Sequence, residues 1–198
     1  MDASHDLSRE IEELQGVIGW SAARFVKPGD TIIVNAGLAT TVLACALHGR
    51  TDTTVISNSL AVLVELAEEP GITLLSPGGQ VRGANPALSG AVAVNAFKQW
   101  HADKAFITGL SLSLDFGLSC SSLGGAAMIE AMLGAADEIT LLADHTRIGI
   151  ASLVRIAPIE RVHRLITDAG ISAHDRQAIT ERGVQITIAD DRDHETLC

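Results

Sequence analysis

The chain contains no tyrosine and, among its 198 residues, only four phenylalanines and two tryptophans. It therefore has few aromatic faces on which nucleic-acid bases could stack. Lysine is almost as scarce, limited to Lys27, Lys98 and Lys104. Asp and Glu outnumber Lys and Arg by 24 to 14, for a net charge of −10, and a domain of that charge repels a phosphate backbone. No nucleic-acid binding by this chain itself is expected. Arg147, Arg155, Arg161 and Arg164, interleaved with apolar residues and Glu160, read as surface or interface arginines and not as a DNA-binding stripe. The three cysteines, Cys45, Cys120 and Cys198, are odd in number and far apart, as expected of free thiols in a reducing, cytoplasmic setting. The seven histidines show no metal-ligand spacing, so neither a metal nor a cofactor is expected. Long uncharged stretches such as 83–97 and 116–129 carry Gly, Ser, Asn and Pro, unlike a membrane span. The polar, charged start (Asp2, His5, Asp6, Arg9, Glu10) is unlike a signal peptide.

What is present is apolar: 47% hydrophobic against 19% charged residues. A parallel sheet buried on both faces, or a subunit interface, gives such a balance. The organising stretch is Asp30–Thr41. Thr31–Val34 is a short β-branched run suited to a buried strand, Asn35-Ala36-Gly37 breaks it, and Thr40–Leu47 resumes with helical spacing. Such a corner aims backbone N–H groups and a helix dipole at one point, which suits an anion, although many strand–Gly–helix corners bind nothing. Ahead of it, Asp6 and Ser8 offer caps for a helix striped by Leu7, Ile11, Leu14, Ile18, Ala22 and Phe25.

Strands and helices then alternate. Strands are expected at Thr53–Ser57, Ile72–Leu75, Lys104–Thr108, Glu138–Ala143, Arg164–Thr167 and Val184–Ala189, and helices at Ser59–Glu69, Ser89–Trp100, Ser122–Ala136 and His174–Arg182. Residues 80–88 and the serine-rich stretch between Gly109 and Gly117 read as irregular, 152–159 as ambiguous, and the acidic tail from Asp190 as frayed. This order predicts one α/β domain, a mostly parallel sheet with helices on both faces. Ligands of such sheets sit beyond the carboxyl ends of the strands. Those ends carry Asn35/Gly37, Ser57/Asn58, Gly78/Gly79, Thr108/Gly109, Asp144 and Thr167/Asp168. Each alone is ordinary turn chemistry; together they suggest a polar crevice for a small hydroxylated ligand.

The chain resembles the C-terminal effector-sensing domain of DeoR-type transcriptional repressors of sugar metabolism. The resemblance rests on Lys27-Pro-Gly-Asp30-Thr, Gly37…Thr40, Val55-Ile-Ser57-Asn58-Ser59-Leu60, Gly78-Gly79-x-x-Arg82, Leu88-Ser89-Gly90, Asp103-Lys-Ala-Phe106-Ile-Thr-Gly109, Gly117-Leu118-Ser119, Leu142-Ala143-Asp144-His-Thr-Arg147-x-Gly149 and Ile166-Thr167-Asp168. It implies a fold like ribose-5-phosphate isomerase A and the CoA-transferases, a sugar-phosphate effector, and homo-oligomerisation. It also implies a winged helix-turn-helix ahead of the domain, for which residues 1–26 supply only one helix. The family pattern Asp-x-Gly-Thr/Ser-Thr-Thr is Asn35-Ala36-Gly37-Leu38-Ala39-Thr40 here, which lacks one carboxylate and two hydroxyls, and the usual lysine of its Asp-x-x-Lys motif is Arg147.

Three functions compete. In the first, the domain binds a phosphorylated sugar or related anion without chemistry, through Asn35, Gly37, Thr40, Thr41, Ser57, Asn58, Gly78, Gly79, Arg82, Gly109, Asp115 and Arg147. In the second it is an aldose–ketose isomerase, for which only Asp115 stands where a carboxylate base is needed. In the third it has lost its ligand and serves only for oligomerisation. The first is the expectation carried forward.

Overall fold

The computed structural model describes residues 3–82 and 86–190, with side chains for 9–81 and 86–190. The side chains of Arg82 and of residues 6–8, which include the offered caps and Leu7 of the helical stripe, and the tail from 191 lie outside the description. Strand β1 (Thr31–Val34) is central. Its β-branched residues alternate between two cores: Ile32 and Val34 pack on one side of the sheet, Ile33 on the other. Around it, β2 (Thr53–Ser57), β3 (Ile72–Leu75), β6 (Ala102–Thr108), β9 (Ala136–Leu142), β11 (Arg164–Thr167) and β12 (Gln185–Ile188) complete a seven-stranded sheet in the order β12-β11-β9-β6-β1-β2-β3. Every pairing in it is parallel, so all the strand ends singled out above lie along one edge.

Helices cover both faces. On one lie α1 (Ala3–Ala22), α2 (Leu38–Cys45) and α3 (Leu60–Glu65), whose Ile18, Leu43 and Val62, with Leu47 and Leu66 just beyond α2 and α3, share a core with Ile32, Val34 and Phe106. On the other lie α4 (Ala91–Phe97), α5 (Leu123–Gly134) and α6 (Ala173–Glu181), contributing Phe97, Met128, Met132 and Ile179. α1 begins at Ala3, before the expected cap, and α3 stops at Glu65, short of Pro70.

Two segments read as irregular are strands. Strands β4 (Gln80–Arg82) and β5 (Ala87–Ser89) pair antiparallel as a small hairpin. The serine-rich stretch holds β7 (Ser111–Ser113) and β8 (Gly117–Cys120), which pair antiparallel, and β10 (Val154–Ala157) joins them. Serines hold these strands and the segment before β10 together: the Ser119 hydroxyl accepts from the Ser152 amide at 2.9 Å, and those of Ser111 and Ser152 meet at 3.0 Å. Gly117, at φ +75°, lies where a Cβ would come within 2.2 Å of the Ala157 carbonyl. Only glycine allows β8 and β10 to approach there.

At the opposite edge of the main sheet, Asp30 pairs with Lys104 and accepts from the Lys27 amide at 2.7 Å, closing the turn before β1. Arg164 stacks 4.2 Å from the Phe25 ring centre and donates to Gln185 at 2.6 Å. Phe25→Leu, which keeps most of the packing and loses the stack, is expected to lower stability by about 1 kcal/mol in a urea titration; an unchanged midpoint would show the stack to contribute nothing.

Candidate functional site

The strand order reverses between β1 and β6: β2 and β3 run outward on one side, β9, β11 and β12 on the other. Neighbouring loops diverge at such a point and leave a crevice at the carboxyl ends. Asn35 closes its floor. Its Nδ2 donates to the Thr108 carbonyl at 3.0 Å and its Oδ1 accepts from the Thr108 amide at 2.9 Å. The side chain thus continues the β1–β6 ladder where the main chains part. The partners fix which atom is nitrogen, and a carboxylate could not make the first bond. Asn58 works the same way: Oδ1 accepts from the Ala36 amide at 3.1 Å, and Nδ2 donates to the Leu88 carbonyl at 3.1 Å. It ties the loop before α2 to the β4–β5 hairpin.

Above these asparagines is a cavity of about 280 Å³. The ends of β1, β2 and β6 supply Asn35, Ala36, Asn58, Thr108 and Gly109; the hairpin supplies Ala87 and Ser89; Leu110, Met128 and Ile129 add apolar surface. The rest of its wall is the start of α5, Cys120, Ser121, Ser122, Gly124 and Gly125. Ser122 caps that helix by accepting from the Gly125 amide at 3.1 Å. Among the described residues no Asp, Glu, Lys, Arg or His lines the cavity, although the chain carries a net charge of −10.

Among the described residues, Asn35, Asn58 and Gly109 are thus the predicted ones that line this cavity. Others stand directly behind it. Gly37 backs Thr108, where a Cβ would fall 2.2 Å from Thr108 Cγ2, and Gly79 backs the Ser89 carbonyl, where a Cβ would fall 2.5 Å away. Thr40 and Thr41 turn their hydroxyls onto the Gly37 carbonyl at 3.0 and 2.8 Å, and Ser57 gives its own to the Val34 carbonyl at 2.7 Å. Those hydroxyls brace the loops, and Thr40, Thr41 and Ser57 are not among the residues lining the cavity. Gly78, in the turn between β3 and β4, has φ +68° and does not line the cavity. Asp115 lies apart, in a cavity of about 190 Å³ with Ile148, Gly149 and Asp175. The α5 start was missed as a wall of the site, although Ser122 followed by Gly124 and Gly125 is a visible helix opening.

Arg147 is exposed on a 3-10 turn, His145–Arg147, that follows β9. Two buried carboxylates build this turn. Asp144 accepts from the Thr146 amide at 3.0 Å and from its hydroxyl. Asp168, at the end of β11, accepts from the amides of His145 and Gly170 at 2.7 and 2.8 Å and meets His145 Nδ1 at 2.7 Å. Burial opposes the charged form of Asp168, but those amides and the imidazole outweigh it and hold the carboxyl below its ordinary value. Burial and the adjoining Glu65 push the Cys45 thiol up, which disfavours a reactive thiolate. Among the described residues no group of three His, Cys, Asp or Glu side chains could hold a metal ion, and no helix is long and apolar enough to cross a membrane.

Residues 12–169 match the family described as the DeoR C-terminal sensor domain. The chain belongs to that family. Among curated relatives, the sensor domain is 30% identical to the HTH-type transcriptional regulator GolR of Listeria innocua, over 92% of this chain and 71% of that protein. It is 31% identical to the transcriptional repressor AccR of Agrobacterium fabrum, over 79% of this chain and 61% of that protein, and 29% identical to the regulator YulB of Bacillus subtilis, over 92% and 71%. In fold it is similar to ribose 5-phosphate isomerase A from Neisseria gonorrhoeae (TM-score 0.52, 15% identity, 72% of this chain and 56% of that one). It is also similar to eIF2B beta from Chaetomium thermophilum (TM-score 0.54, 14% identity, 96% and 57%). The sensor domain thus spans little more than half the length of these solved chains. The relatives named here are transcriptional regulators, and the architecture is that of ribose-5-phosphate isomerase A.

Proposed function

We propose that the sensor domain binds a small polyhydroxylated anion, a phosphorylated sugar or a close analogue, in the cavity at the β1–β6 reversal, and performs no chemistry on it. The observation that carries this reading is a wall whose described residues include no carboxylate, in an acidic protein, at which the main chain entering α2 and the first turn of α5 converge. Helix N-termini favour negative charge. The second N–H groups of Asn35 and Asn58, with the hydroxyls of Ser89, Ser121 and Ser122, suit sugar hydroxyls. The cavity offers no paired acid and base for proton transfer, since Asp115 is elsewhere, and this supports binding over isomerisation. In this reading the domain also self-associates, consistent with exposed Leu123 and Leu153, and meets DNA only through a reader module joined to it.

Calorimetric titration with a panel of pentose and hexose phosphates, coupled to product analysis, tests the proposal. Saturable heat without turnover is expected; turnover or silence across the panel would overturn it. Gly124→Glu sharpens the test, because a Cβ there meets open space. An acidic group in the first turn of a helix is worth about 0.3–1 kcal/mol of stability, so the thermal midpoint should hold or rise. The same charge at the cavity wall should weaken anion binding by roughly tenfold or more, the equivalent of about 1.4 kcal/mol. If Gly124→Glu binds normally and Arg147→Ala does not, the anion sits at the Asp144–Arg147 turn instead.

A further inference from the structure

Helices α4 and α5 pack side by side over one face of the sheet, and between them they hold a single charged side chain, Glu130. Helix α6, on the same face, is built otherwise and turns Arg176, Gln177 and Glu181 to solvent. A helix that is apolar on every side belongs in an interior, yet Leu123 is 78% exposed and Val92 65%. Leu123, Ala127, Glu130 and Gly134 are spaced by four, three and four residues and are all exposed, so they form one outward stripe along α5. Beside the stripe lies a groove of about 410 Å³, lined by Val94, Lys98, Ala127, Glu130, Ala131 and Gly134. An exposed apolar patch rimmed by a few polar groups marks a protein interface.

The patch complements itself. A twofold axis across the middle of α5 reverses the stripe, which sets Leu123 of one copy against Gly134 of the next and Ala127 against Glu130. The protruding side chain at one end thus meets the position without a side chain at the other, where even a Cβ would have nothing within 4 Å. Lys98 and Glu130, the charges bordering the groove, are of opposite sign, so a second copy of the same face answers each with its opposite, as an isologous interface requires. We propose that two copies of the domain join through the α4–α5 face, with their α5 helices antiparallel and Leu123 of each seated in the groove of the other. This rests on the self-association read above, to which it assigns a surface. Because Ser122, Gly124 and Gly125 line the crevice, this pairing brings the crevices of the two copies to the two ends of the seam.

Sedimentation velocity across a dilution series of the whole chain tests this. The parent should associate, with a dimer as the first step. Leu123→Glu puts a carboxylate into an apolar seat and should raise the dissociation constant of that step by about tenfold or more. Gly134→Gln, whose added side chain meets open space in a single copy, should do the same by filling the seat. Val64→Glu, at a valine 76% exposed on α3 and so on the opposite face of the sheet, should leave the constant unchanged. Thermal midpoints measured where the parent is monomeric should agree within a few degrees, which separates loss of pairing from loss of fold. If Leu123→Glu or Gly134→Gln pairs as tightly as the parent, or Val64→Glu weakens pairing as much as they do, the α4–α5 surface is overturned while self-association stands. A parent that stays monomeric at every concentration overturns both.

Discussion

Asn35→Ala is expected to destabilise the sensor domain by about 3 kcal/mol, because a buried polar group left without its partner costs roughly 1–3 kcal/mol and this change strands two. The amide and the carbonyl of Thr108 both lose their partner, at a site that is 5% exposed. For a domain of this size such a loss lowers the thermal midpoint by roughly 6–12 °C. Asn35→Asp separates the two bonds. The carboxylate can still accept from the Thr108 amide but faces the Thr108 carbonyl with a second acceptor, so it should be nearly as damaging at pH 7. Protonated, it can donate again, and its deficit should shrink as the pH is lowered toward 4. A midpoint within 2 °C of the parent for Asn35→Ala, an order-of-magnitude bound from the same scaling, would mean the β1–β6 ladder needs no side-chain extension. Asparagine is the one side chain of a carboxylate's shape that both donates and accepts at neutral pH without first taking up a proton.

The second large effect belongs to Asp168. Its carboxyl is stabilised as the anion by the amides of His145 and Gly170 and by the His145 ring, against the opposing effect of burial. Gly170 is what admits the contact, since a Cβ there would lie 2.5 Å from His145 Nδ1. The folded value is depressed, so the stabilisation is complete above the unfolded carboxylate value, about 3.9, and is lost as pH falls through the lower folded value. Asp168→Asn should therefore cost about 2–3 kcal/mol at pH 7, from charge-assisted bonds of roughly 1.5–3 kcal/mol each. The deficit should narrow below pH 4. Urea midpoints of parent and variant at neutral and acid pH supply the comparison. A deficit of constant size across that range would assign the loss to packing and not to charge.

Several features of the molecule follow from local physics and could be read from the chain. Thr31–Val34, Thr53–Ser57, Ile72–Leu75 and Arg164–Thr167 are strands with the bounds expected, because short β-branched runs between turn residues have few other choices. The DeoR-type pattern, the parallel α/β architecture and the placement of polar residues at strand ends were equally legible. The small strands were less so. Ser111-Leu112-Ser113-Leu114 does alternate with period two, yet its serines resemble loop chemistry until Ser119 and Ser152 are seen to satisfy each other's segments.

Strand order is of another kind. Nothing local in β1 states that β6, far along the chain, is its neighbour; that is settled by how the two cores close over the sheet. Only this neighbourhood makes Asn35 a splice between strands as well as a wall of the cavity, brings the start of α5 into that wall, and places Asp115 in a separate cavity. Hydrophobic periodicity and turn chemistry are properties of a few adjacent residues, so the sequence determined them. The site is a meeting of strand ends and helix starts from distant parts of the chain, and only the tertiary structure could decide which of them meet.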